Sequence, residues 1–196
     1  MRIMKIINIE KKEIIKAETR IIDDAPKYLK KEEAHQIILN VPNNKYKDKM
    51  FIMFLWNTGL RVSEAIKIRK QDIDFVMKNI KVIWLKRRVK KNRIIPINDK
   101  FAYQLSLYCG NMNKSERLFD FSRHRAYQIT KKYGEKIRKD IHPHLFRHGF
   151  AVNYLKQTND LIGLKKLLGH VDIRNTVIYT KIVNADVREK LNKIDF

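Results

Sequence analysis

Tyr179, near the end of the chain, stands downstream of four basic side chains whose types and order suit phosphodiester chemistry. They are Arg61 in Thr58-Gly59-Leu60-Arg61-Val62-Ser63-Glu64, His144 and Arg147 in His144-Leu145-Phe146-Arg147, and His170 in Leu167-Leu168-Gly169-His170. A phenol can attack phosphorus, but its ordinary pKa lies near 10, so attack at neutral pH needs cationic neighbours or a base. A guanidinium presents a planar fork that matches two phosphate oxygens. An imidazole accepts or relays a proton near neutral pH. Such a set needs no metal ion, and none is expected.

Each piece alone is ordinary. H-x-x-R on a basic helix is a common surface pair, a tyrosine at helical spacing is most often core, and Arg61 with Glu64 is an intrahelical pair worth a few tenths of a kcal/mol. Glu64, on the face of Arg61, could hold that guanidinium or a neighbouring histidine in place. His35, His142 and His148 read as structural, His148 as a packing or hydrogen-bonding partner. His124, between Arg123 and Arg125, reads as a backbone-phosphate contact or a solvated residue.

Composition supplies the substrate class. The 196 residues carry 43 basic and 21 acidic side chains, a net charge of +22. That imbalance points to a polyanion, and the spread of basic residues through a globular pattern favours nucleic acid over a membrane surface. Cys109 is the single cysteine, so no internal disulfide or cysteine-rich metal site forms. The longest uncharged apolar run, Met50 to Trp56, is too short to span a bilayer, and Met1 to Lys12 is broken by charges. A cytoplasmic protein is expected.

Few Gly and Pro residues and many Lys, Glu, Ile and Leu predict a mostly helical α+β fold. Periodicity places helices at 30–41, 47–58, 61–68, 99–109, 122–138, 144–157, 160–168, 173–181 and 185–193. Gly59 and Gly169 stand where left-handed C-caps belong, and Pro143 suits a first helical turn. The β-branched runs Ile80 to Leu85 and Arg93 to Ile97 flank a very basic stretch, Lys86 to Asn92, and read as a small antiparallel hairpin with that stretch as its turn. Residues 1–26 read as an N-terminal arm or linker before a domain over 27–196, and 186–194 as an amphipathic tail helix.

Together the stretches Asn57-Thr58-Gly59-Leu60-Arg61-Val62-Ser63-Glu64-Ala65, His142-Pro143-His144-Leu145-Phe146-Arg147-His148-Gly149-Phe150-Ala151 and Leu167-Leu168-Gly169-His170 through Tyr179-Thr180 resemble the catalytic domain of the tyrosine recombinases, the phage integrases and Xer-type recombinases. The resemblance covers nearly all of residues 27–190. It implies that Tyr179 attacks a scissile phosphate of double-stranded DNA to leave a 3′-phosphotyrosyl link and a free 5′-hydroxyl. Arg61 and Arg147 would hold the non-bridging oxygens, His144 would assist proton movement at the tyrosine, and His170 would hydrogen-bond the phosphate. A lysine of the hairpin would protonate the leaving oxygen. Counting forward along the first strand selects Lys86, counting back from Pro96 lands on Arg88, and Lys90 is the second choice. Arg87, Arg88, Lys90, Lys91, Arg123 and Arg125 would touch DNA.

The resemblance further implies a homo-oligomer on DNA, a tetrameric synapse, with the tail helix packed on a neighbour or folded back in cis. The separate helical DNA-binding domain that usually comes first in the family is expected to be absent. Integration, excision or dimer resolution would be the task. The competing readings are a catalytically limited DNA-binding or regulatory protein of the same fold, and a topoisomerase-like nicking and relaxing activity.

Overall fold

A computed structural model describes residues 26–86 and 89–184, with the backbone alone for 84–86, 89–91 and 184. The expected arm up to residue 25, the tail helix, Arg87 and Arg88 lie outside the described residues. Nine α-helices are described: α1 (Lys31–Leu39), α2 (Tyr46–Thr58), α3 (Val62–Ala65), α4 (Asp99–Cys109), α5 (Arg123–Glu135), α6 (Pro143–Thr158), α7 (Leu161–Leu168), α8 (Arg174–Val177) and α9 (Thr180–Asn184). Between α3 and α4 the strands β1 (Ile73–Asp74), β2 (Asn79–Lys86) and β3 (Val89–Pro96) form an antiparallel sheet in that order. No described helix is long and apolar enough to cross a membrane.

Helix α2 is buried because it is apolar nearly all round: Met50, Phe51, Ile52, Phe54 and Leu55 are all inside. Phe119 packs edge-on to Phe51 and Phe54, with ring centroids 5.1 and 5.3 Å apart. Each such pair adds about 0.5–1.5 kcal/mol to the area buried. This main core takes in α1, α2, the inner face of the sheet, α4 and α5. A second, smaller core lies on the other side of α6, where Ala151, Val152 and Leu155 meet Leu164, Leu168, Tyr179 and Val183. Helix α6 serves both, since Phe146 faces the main core.

The hairpin departs from expectation. Pairing runs from Asn79↔Pro96 to Lys86↔Val89, so only residues 87 and 88 separate the strands, and 89–92 belong to β3 rather than to a turn. A ladder is held by main-chain groups, so a run of lysines does not end it. Register also fixes the faces of the ladder. Ile80, Val82 and Ile95 are buried, and Arg93 pairs with Val82, whereas Ile83 and Ile94 on the opposite parity are exposed. The expected helix over 173–181 is two short pieces, α8 and α9, with Tyr179 in the step between them.

Gly59 ends α2 in the left-handed region, at φ 60°, its N–H bonded to Leu55 O. A Cβ here would come within 2.4 Å of Phe150 Cδ1. Gly59→Ala therefore combines left-handed strain with overpacking. It should lower stability by about 2 kcal/mol or more, read as a lower urea midpoint at unchanged slope.

Candidate active site

The site sits on the seam between the two cores. Pro143 occupies the first turn of α6, and four residues on, Arg147 is 4% exposed. Its guanidinium is held by three partners from two other elements: Nη1 donates to Gly59 O at 2.7 Å, and Nη2 to Leu168 O at 2.8 Å and to His170 Nε2 at 3.0 Å. The two carbonyls belong to helix C-termini, where unpaired backbone oxygens carry partial negative charge. Burial, then the Arg61 charge, pull the Arg147 pKa down to about 10, and it remains a cation at neutral pH.

Because a guanidinium can only donate, His170 Nε2 must accept, and Nδ1–H then donates to Thr176 Oγ1 at 2.9 Å. His170 is therefore neutral here. Burial and the Arg147, Arg61 and Arg93 charges push its pKa down to about 4. Its position follows from α7 ending at Gly169, at φ 65°, which turns the chain so that His170 N–H bonds back to Lys165 O.

Glu64 is held chiefly by a residue absent from the expected set. Arg93, on β3, forms a two-pronged pair with Glu64, Nη1 to Oε1 and Nη2 to Oε2, both 3.0 Å. Its Nε donates to Leu167 O at 2.9 Å. The side chains are 8% and 10% exposed. Arg61 is farther off, its Nη1 3.7 Å from Glu64 Oε1 and its backbone N–H 3.0 Å from Oε2, and its side chain is 42% exposed. Arg93 thus ties the hairpin to α3 and to the end of α7. It packs against Gly169, where a Cβ would meet Nη1 at 2.8 Å.

Tyr179 is 2% exposed, in the smaller core. Its hydroxyl meets His148 Nδ1 at 2.9 Å. Burial raises the phenol pKa above its ordinary value, opposed by the charges of Arg147 and then Arg61. His144 is exposed, its ring centroid 6.4 Å from that of His148 and 6.3 Å from that of His142. Partial desolvation, then His142, Arg147 and Arg61, lower its pKa. His144 and Arg147, three residues apart on α6, part company: Arg147 turns inward and His144 faces solvent. Arg61, Glu64, Arg147, His170 and Tyr179 are brought together.

Lys86, Lys90 and Lys91 are placed along the ladder by their backbone alone, and Arg87 and Arg88 are outside the described residues. Arg123 and Arg125 open α5 on the surface, with Arg125 3.6 Å from the nearly buried Asp48 carboxylate. Sequence reasoning missed Arg93 and gave His148 only a structural part. The alternation of β3 carried a signal for Arg93, because it shares the parity of Ile95.

Removing one partner of a buried ion pair strands the other. Arg93→Met should cost about 3–5 kcal/mol, and the double substitution Arg93→Met with Glu64→Gln should cost less than the sum of the singles. Burial alone would raise the Glu64 pKa, but the Arg93 hydrogen bond and charge outweigh it and hold it below its ordinary value. The pair's contribution is therefore complete above the unfolded carboxyl pKa and is lost as pH falls through the folded one. The Arg93→Met penalty, measured by urea unfolding, should shrink below about pH 4 as Glu64 protonates.

Comparison with known proteins identifies the family. The sequence profile of the phage integrase family matches residues 27–185. Tyrosine recombinase XerA of Saccharolobus solfataricus is 37% identical over 149 residues, covering 75% of this chain and 50% of that protein. Among solved structures, a XerA recombinase superposes with a TM-score of 0.73 at 24% identity, over 86% of this chain and 65% of that one. The Tn1549 transposon integrase in complex with circular intermediate DNA superposes with a TM-score of 0.63 at 18% identity, over 78% of this chain and 60% of that one. The chain spans about half the length of the Saccharolobus relative. With the mostly helical fold, the small antiparallel sheet and the matched residues, the chain belongs to the phage integrase family.

Proposed function

We propose that this chain breaks and rejoins DNA strands at specific sites, with Tyr179 as the nucleophile. The observation that carries the reading is a buried phenol hydrogen-bonded to an imidazole and lying in the field of two guanidinium groups, Arg147 and Arg61. The cations offset the charge that a phenol and a phosphodiester would otherwise share, which is the stabilisation that attack on phosphorus requires.

In the proposed reaction the Tyr179 oxygen bonds to the scissile phosphorus as the bond to the 5′-oxygen breaks, leaving a 3′-phosphotyrosyl link. Arg147 has three of its five N–H groups engaged by Gly59, Leu168 and His170. That leaves donors for a non-bridging oxygen, on a fork already held rigid. Arg61, more exposed, lies with its Nη1 3.7 Å from Glu64 Oε1 and would close on the phosphate from there. For His170 to hydrogen-bond the phosphate, its Nε2 must give up the Arg147 N–H that it accepts here and take a proton, which the charge of a seated phosphate would favour. The reverse attack, by a 5′-hydroxyl of a partner strand, rejoins DNA without an outside energy source.

Lys86 is the proposed donor to the leaving oxygen. Along β2 it shares the parity of Ile80 and Val82, the ladder face on which Arg93 reaches Glu64. Lys90 has the opposite parity, that of the exposed Ile83 and Ile94. An ammonium donates a proton readily, whereas an arginine at this place would not.

DNA is the proposed partner, held by the +22 charge through salt-sensitive phosphate contacts that include Arg123 and the hairpin lysines. A family synapse of four chains and a cytoplasmic location belong to the same proposal, as does the choice among integration, excision and dimer resolution.

Incubation with a pool of nicked suicide duplexes of randomised sequence should give an SDS-resistant protein–DNA adduct in EDTA. Tyr179→Phe should give none while retaining DNA binding, and adduct from that variant would overturn the assignment. Lys86→Ala should slow adduct formation by about 10²–10⁴-fold, and a 5′-phosphorothiolate, which leaves without a proton, should restore it. Restoration of Lys90→Ala instead would move the role to Lys90.

A further inference from the structure

The group that reaches the nucleophile is His148, one position beyond Arg147, and not His144. We propose that His148 takes the proton from Tyr179 during attack, so that the general base of this chain is the second histidine of His144-Leu145-Phe146-Arg147-His148. The inference rests on the strand-cleavage reading above and assigns a role within it.

The geometry carries it. His148 Nδ1 and the Tyr179 hydroxyl are 2.9 Å apart, inside the reach required of a general base. The bond runs from phenol to imidazole in the tautomer whose Nδ1 is unprotonated, and this is the tautomer the proposal assigns: the phenol donates and Nδ1 accepts. His148 is half-buried and its ring centroid stands 5.7 Å from that of Tyr179, which fixes the phenol against α6. His144, by contrast, faces solvent one turn earlier.

Electrostatics then explain when the transfer occurs. Burial, followed by the His144, Arg147 and His142 charges, pushes the His148 pKa down to about 4, so it is neutral and ready to accept at neutral pH. It is a weak base while the site holds only cations. A phosphodiester seated against Arg147 and Arg61 cancels much of that field and strengthens the base at the moment the nucleophile is needed. The step balances: the Tyr179 O–P bond forms, the P–O5′ bond breaks, the phenol proton passes to His148 Nδ1, and the 5′-oxygen takes a proton from Lys86. On rejoining, His148 returns the proton to the phenol.

Two measurements on the full chain test this. In protein labelled with ¹⁵N-histidine, with resonances assigned by single substitutions, His148 Nδ1 should show the shift of an unprotonated, hydrogen-bonded ring nitrogen and should move in Tyr179→Phe. A protonated Nδ1 would overturn the proposal. In single-turnover cleavage of suicide duplexes recovered from the randomised pool, His148→Ala should slow adduct formation by at least about 100-fold at saturating DNA, and added imidazole should recover at least about 10-fold of it. His148→Asn keeps an acceptor oxygen without a basic nitrogen and should be as slow as His148→Ala. Cleavage by His148→Asn at close to the unsubstituted rate would reduce His148 to holding the phenol in place. Imidazole recovery of His144→Ala but not His148→Ala would return the base to His144. Both variants should keep cooperative melting and DNA binding. If the unsubstituted protein itself forms no adduct, the strand-cleavage reading fails and the proposal with it. Adduct from both the unsubstituted protein and His148→Ala at equal rates overturns the proposal alone.

Discussion

A cation buried to 4% exposure must be surrounded by acceptors, and meeting that demand for Arg147 organises much of the site. An unpartnered guanidinium at that depth would cost several kcal/mol. The chain answers by ending two helices against it, α2 at Gly59 and α7 at Leu168, so that their last carbonyls accept its protons. Both ends turn through a glycine at positive φ. The turn at Gly59 leads to Arg61 and the turn at Gly169 to His170, so the residues flanking the cation are delivered by the same stops that satisfy it.

Arg93 plays the corresponding part for the outer half of the site. Its two-pronged pair with Glu64 and its bond to Leu167 O join a strand, a short helix and a helix C-terminus through one planar group. The short helix α3 has only four residues and would not hold a fixed orientation unaided. Beyond Arg93 the ladder runs on from Asn92 to Val89 against Ile83 to Lys86, so the register of β2 and β3 sets where those residues lie relative to that group.

Much of this was legible in the sequence because it is local. The glycine caps, the Pro143 start, the buried α2 and the order of the basic motifs all follow from short-range rules. Arg93 was not legible in the same way. It lies at the edge of a run of lysines and arginines that reads as a solvated turn, while its partners lie 29 and 74 residues away. His148 was obscured for a geometric reason. It is one residue past Arg147, about 100° round the helix, so its surroundings depend on where the segment carrying Tyr179 docks. The length of β2 and β3 was underestimated because main-chain pairing leaves no mark on a charged stretch.

Two cores of unequal size meet on α6, and Tyr179 belongs to the lesser one. Among the described residues that cluster has seven buried members, and the segment bearing the tyrosine lies between the four residues of α8 and the five described residues of α9. Cooperative units of a protein open with free energies set by their own packing, and small ones open far more often than the whole. The tyrosine is thus lodged in a smaller cluster than the aromatic core around Phe119, and by that rule in the one expected to open first. At 2% exposure its oxygen would have to be uncovered before an outside strand could reach it, and in the proposed reaction the frequency of that local opening would cap the rate.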